Sequence, residues 1–162
     1  MQVKKLFEQW GIKSIKLKAP FMEMEWQAED EDRDAAWELY VEMVTRVITQ
    51  PLPATNGIEK SALDSVYQLF PLTREILKKN GRHCANFTKI AVVVLNQVVR
   101  PFTSKWHLIF NTAEQLSADQ VAVFRTELAY LQIELRKYAR MLASIADVED
   151  IVDVPDDLHV GH

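Results

Sequence analysis

Apolar and polar positions alternate over a short stretch near the start of the chain, then switch to a spacing of three and four that holds almost to the end. In residues 12–26, Ile15, Leu17 and Ala19 alternate with Ser14, Lys16 and Lys18. Met22, Met24 and Trp26 then alternate with Glu23 and Glu25. Successive side chains of a strand point to opposite faces, so this period of two predicts a short β-hairpin with Pro20 between its arms. Lysines of one arm would face glutamates of the other, which favours antiparallel pairing. A two-stranded hairpin is marginal alone and needs a surface to lie on. An amphipathic helix continuing from residues 3–10 is the alternative.

From Asp30 the pattern is helical. Asp30, Glu31, Asp32 and Asp34 crowd the start of the helix, where unpaired N–H groups favour negative charge. Ala36, Trp37, Tyr40, Val41, Val44, Val47 and Ile48 then mark a wide apolar face up to Pro51. Residues 51–57 are a loop by composition. A second helix spans 58–70, meets Pro71 and resumes to Asn80, with Gly81 as its C-cap. Residues 85–99 are apolar nearly all round. Val92, Val93 and Val94 would suit a buried strand, but the helical spacing continues past them. Pro101 lacks a backbone donor and clashes with the carbonyl four residues back, which predicts a break or kink and a new helix from Thr103 or Ser104.

The last helix is the plainest. Ser117-Ala-Asp-Gln120 forms a capping box. It launches Val121, Phe124, Leu128, Leu131, Leu135, Tyr138, Leu142 and Ile145 as one seam. Packing inside a bundle is favoured over a parallel coiled-coil dimer, because the chain supplies other helices. Alanines at 122, 129, 139, 143 and 146 would admit another helix beside the seam. The expected fold is mainly α: a single bundle of about five helices with a short N-terminal β-hairpin. It occupies residues 1–146, with 147–162 as a loose acidic tail.

Composition narrows this reading little. A chain of 162 residues fits one domain, and 48% apolar with 26% charged residues is ordinary for a soluble globular protein. Four glycines and six prolines disfavour a turn-rich all-β fold. A net charge of −4 argues against a general nucleic-acid coat while leaving a local basic site open. Cys84 stands alone, so no intrachain disulfide is possible and a buried thiol in a reducing compartment is expected. The start has no apolar leader core, and the longest apolar run, 90–95, is far short of the roughly 20 residues a span needs. The expectation is a cytoplasmic protein without a membrane segment.

Candidate chemistry gathers in Asn96-Gln-Val-Val-Arg-Pro-Phe-Thr-Ser-Lys-Trp-His107. At helical spacing Asn96, Arg100, Thr103 and His107 line one face. Such a polar stripe on an apolar helix costs free energy unless its groups find partners. One reading is a structural network with carboxylates of neighbouring helices, Glu38 and Glu42 answering Arg100 or Lys105. The other is a site. Trp106 is then a packed aromatic or, less often, a platform for a base. No Glu-x-x-His pair and no phosphate-binding glycine loop appears, and His159 and His162 lack a scaffold, so neither metal nor cofactor is expected. Lys13, Lys16 and Lys18 suit a solvated edge or an acidic partner.

Arg100 and His107 are separated by six residues in a mainly helical chain. That spacing resembles the Arg-x4-6-His signature of HEPN domains, small helical bundles of which many are metal-independent endoribonucleases working as dimers. The resemblance implies that Arg100 would bind the scissile phosphate while His107 shuttles a proton. The types suit that chemistry, since a guanidinium holds phosphate bidentately and an imidazole titrates near neutral pH. The leading expectation is nonetheless a non-enzymatic helical module that self-associates as a homodimer or docks on a partner protein. A HEPN-like ribonuclease of the toxin or host-defence type, with RNA as partner, is the alternative. A small-molecule sensor using a pocket beside Arg100, with Asn96, Thr103, Lys105 and Trp106 as binding residues, is the third.

Overall fold

The computed structural model describes residues 1–12, 15, 23–46, 49, 52 and 58–151. Among them run α1 (Val3–Gln9), α2 (Asp30–Val44), α3 (Glu59–Tyr67), α4 (Leu69–Asn80), α5 (Ala85–Val94), α6 (Arg100–Thr112) and α7 (Ala118–Ala146). The fold is mainly helical, as the spacing predicts. The expected count of about five depends on where these trains are divided, since α5 runs into α6 through one irregular turn. Most of the expected hairpin, residues 13, 14 and 16–22, lies outside the described residues. Of its second arm, Glu25 forms an isolated antiparallel bridge with Gln2. Beside it the Val3 N–H donates to the Met24 carbonyl at 2.9 Å, so the arm meets the start of α1.

The seam of α7 is interior from Phe124 to Ile145, while Val121 at its start is half-buried. Its most extensive partner is α2. Ala35 and Ala36 on α2 and Ala139 and Ala143 on α7 are all buried, and such small side chains let helices pack closely. The interior face of α2 is turned from the one expected. Ala35, Leu39 and Met43 are buried, whereas Trp37 and Val41 are exposed, and the helix ends at Val44 rather than near Pro51. A strict 3.6 spacing through Asp32, Ala36, Leu39 and Met43 explains the rotation.

Asp32 pins α2 in place. Its Oδ2 accepts the Glu29 N–H at 2.9 Å, half of a reciprocal capping box on its own helix. Its Oδ1 accepts the Phe87 N–H at 2.8 Å in the first turn of α5. One fully buried carboxylate thus satisfies donors at two helix starts. Near the other end of α4, Gly81 closes the helix at φ +71°, a conformation that favours glycine.

Two prolines behave differently from the expected breaks. Pro71 sits in the first turn of α4, where its missing donor is unneeded, and the irregularity falls at Gln68. Pro101 does not end the apolar helix either. The chain widens into a π-helical turn over Leu95–Val99, and the Arg100 N–H reaches back five residues to the Leu95 carbonyl. That turn absorbs the clash and the absent donor, so α6 starts at Arg100 rather than at Thr103 or Ser104.

Past α7 the chain is held for several residues. Asp147 takes a left-handed conformation (φ +57°) and the Val148 N–H bonds back to Ala143. The Tyr40 hydroxyl donates to Asp150 Oδ1 at 2.9 Å and accepts the Ile151 N–H at 2.7 Å. Within the expected acidic tail of 147–162, the segment 147–151 is thus hydrogen-bonded to α2 and α7, and residues 152–162 lie outside the described ones. Among the described residues no helix is long and apolar enough to cross a membrane.

Candidate functional site

The polar stripe lies on α6 and the turn before it, facing aromatic side chains of α3 and α4. Arg100 is exposed. Its Nε and Nη2 donate to Asn96 Oδ1 at 3.0 and 2.9 Å, and its guanidinium sits 4.7 Å above the Phe70 ring centre. His107 is half-buried and meets Tyr67 edge-on, 5.0 Å between ring centres. Thr103 is buried and its hydroxyl bonds back to the Arg100 carbonyl at 3.2 Å, a local bond within the helix.

The expected carboxylate network is not what holds these groups. Glu38 takes Lys79 at 3.1 Å and the Asn80 amide at 3.3 Å, and Glu42 takes Arg46 at 2.8 Å. Both glutamates are engaged with residues of α4 and of their own chain segment, whereas α6 packs against α3 and α7. Lys105 pairs instead with Glu127 of α7. No carboxylate among the described residues pairs with Arg100. Its charge rests on an aromatic ring and an amide oxygen, both weaker counterparts than an anion.

Trp106 belongs to the interior. It is 1% exposed, stacks edge-on against Phe124 at 5.0 Å, and donates its Nε1–H to Glu127 Oε2 at 2.8 Å. A nucleobase has no access to that ring. Glu127 therefore ties two neighbours of α6, Lys105 and Trp106, to α7 with one carboxylate.

A groove opens on the adjacent face of α6, roughly one residue around the helix from the stripe. Val98, Pro101 and Phe102 line it from one side and Leu131 and Tyr130 from α7, with Lys105 and Glu127 among its polar groups. Its volume is about 410 Å³. A second shallow groove of about 420 Å³ lies along α7 and includes Ala129, Ile133 and the same Tyr130. Tyr130 is 69% exposed and Ile133 45%. Tyr130 thus lines both grooves. The groove lies beside the stripe at 96, 100, 103 and 107, and of the expected site residues Lys105 alone lines it. A readable signal was present: Val123, Tyr130 and Ile133 are large apolar residues off the buried seam.

Among the described residues no group of three or more His, Cys, Asp or Glu side chains is placed to share an ion. Cys84 is fully buried, with its Sγ 3.1 Å from the Gly81 carbonyl. Two buried polar atoms, Trp10 Nε1 and the Tyr138 hydroxyl, have no hydrogen-bond partner among the described residues. Burial pushes the Tyr138 phenol far above its ordinary range. No protein-family model, curated protein or solved structure matches this chain.

Proposed function

We propose that this chain is a helical interaction module that self-associates through the α6–α7 face around Tyr130. One observation carries the reading: a 69%-exposed tyrosine shared by two apolar grooves on a single face. Tyrosine offers large, stiff, amphipathic contact area and is enriched where partners dock. A ridge and a groove side by side suit a two-fold pairing, in which each copy's Tyr130 enters the other's groove. Charge favours a like partner. Lys105 is answered by Glu127, Arg125 by Glu59 and Lys137 by Glu134, so the rim carries no excess that would draw a nucleic acid. Light scattering over a concentration series should show a mass of twice 18.7 kDa, falling to 18.7 kDa for Tyr130→Asp with its helical circular dichroism unchanged. A wild-type chain that stays at the single-chain mass throughout defeats the proposal.

A HEPN-like ribonuclease is the second reading, favoured by the exposed Arg100 guanidinium that no described carboxylate neutralises. Arg100 and His107 stand seven residues apart along one helix, a rise of about 10 Å. One chain would thus place them at different points along a nucleic-acid strand, and a single scissile phosphate would need both copies of a dimer. Cleavage of single-stranded RNA in chelator, lost in His107→Ala and in Arg100→Ala, is the expected signature. Intact RNA after prolonged incubation with the dimer rules the reading out.

A further inference from the structure

A third groove has a different character. It runs between α2 and α4, with a volume of about 320 Å³, and is lined by Trp37, Val41, Leu72 and Ile76 together with Glu38, Glu42, Glu75 and Lys79. Trp37 is 47% exposed and Val41 38%, although both sit on a helix whose inner face is fully buried. Tryptophan exposed to this degree beside a cavity is an unfilled anchor rather than a core residue.

Three glutamates line the groove against one lysine. Lys79 answers Glu38 and Arg46 answers Glu42, but Glu75 has no partner among the described residues. Beyond the groove's lining, Asp34 and Asp30 extend the same outward face of α2 by one and two turns from Trp37, both exposed and likewise unpaired there. Three unanswered carboxylates thus flank an apolar trough. We infer that this trough is a docking site for a basic amphipathic helix of a partner protein. The partner's apolar stripe would cover Trp37 and Val41 while its lysines or arginines meet Asp30, Asp34 and Glu75. A helix lying in a groove by its i, i+3, i+4 anchors is a recurring mode of recognition, and the fit here is one of charge as well as shape. The site is separate from the face around Tyr130 and stands or falls independently of it.

Fluorescence anisotropy with two labelled synthetic peptides tests it on the full chain. One is an amphipathic helix of leucine and lysine, the other the same pattern with glutamate in place of lysine. The lysine peptide should bind and the glutamate peptide should not, with affinity falling as salt rises from about 50 to about 500 mM. Trp37→Ala, which leaves the charge unchanged, should weaken binding about tenfold or more. Asp34→Lys with Glu75→Lys, both on the surface, should abolish it without lowering the melting temperature. Equal binding of both peptides, no binding of either, or a Trp37→Ala variant that binds like wild type would each overturn the inference. Binding that emerges only after Lys13, Lys16 and Lys18 are changed to serine would also overturn it, by showing that the chain's own basic segment is the occupant.

Discussion

In α7 the turns from Leu131 onward bury Leu131, Gln132, Leu135, Tyr138, Ala139, Met141, Leu142, Ala143 and Ile145, whereas the turns before it bury Phe124 and Leu128 alone. The seam is equally regular in both halves. What differs is the number of neighbours. The second half has the N-terminal segment close by, where Lys137 donates to the Gly11 carbonyl at 3.2 Å, and Arg136 donates to the Thr49 carbonyl at 3.0 Å. The first half rests on the aromatic cluster of α6, with Phe124 between Phe102, Trp106 and Phe110, and leaves Val123 and Tyr130 in solvent, with Ile133 just beyond on the same face. Off-seam residues record this difference. Small side chains at 139 and 143 are buried, whereas large apolar ones at 123, 130 and 133 are exposed.

The largest effect expected from breaking this contrast lies in the covered half. Leu135 is fully buried, and Leu135→Ala removes its transfer free energy and leaves a cavity that close-packed neighbours cannot fill. It should destabilise the chain by about 2–5 kcal/mol. Urea denaturation gives the value directly. A loss below about half a kilocalorie would mean that the second half of α7 is not the core.

That core was legible in the sequence because a periodic seam needs only hydrophobicity to be recognised. The capping box at Ser117 and the glycine cap at Gly81 were legible for a similar reason, each being a local motif. Long-range choices were not. Whether Trp37 or Leu39 faces inward depends on where α4 and α7 lie, and both faces of α2 are apolar enough to serve. Asp32 reads as one more acid in a cluster, since its bond to Phe87 joins residues 55 positions apart. Pro101 carries the same lesson. Its clash and missing donor were foreseeable, but the π turn that accommodates them depends on the helices around it. At the candidate site, the stripe through Arg100 and His107 was visible as polarity on an apolar helix. The groove beside it was not, because a groove belongs to two helices.

A smaller and opposite effect is expected at Tyr138, also in the covered half. Its hydroxyl is buried with no hydrogen-bond partner among the described residues, so Tyr138→Phe removes an unsatisfied group at little cost in packing. Stability should rise by about 1 kcal/mol. The pH dependence sharpens this. Burial raises the folded-state pKa of Tyr138 above the unfolded value of about 10. The folded chain then holds a proton that the unfolded chain releases, so stability is full below about pH 10 and falls as pH rises beyond it. Tyr40 is shifted the same way, chiefly by desolvation and partly offset by the Ile151 N–H. Tyr138→Phe should therefore flatten the alkaline fall in melting temperature without abolishing it. An unchanged alkaline profile would show that the hydroxyl reaches water or a partner.

The smallest expected effect lies across the boundary, in the open half. Tyr130 presents most of its surface to solvent, so truncation to alanine forfeits little buried area within one chain. In dilute solution, where any dimer has dissociated, Tyr130→Ala should change stability by no more than about half a kilocalorie. At high protein concentration the wild type should gain in melting temperature through mass action while Tyr130→Ala does not. The contrast with Leu135→Ala then measures how far two residues five apart on one helix differ in role. A loss of more than about 1 kcal/mol from Tyr130→Ala in dilute solution would place this tyrosine in the fold of the single chain. The face around it would then be an outer layer of the core, and its availability to a second copy would go with it.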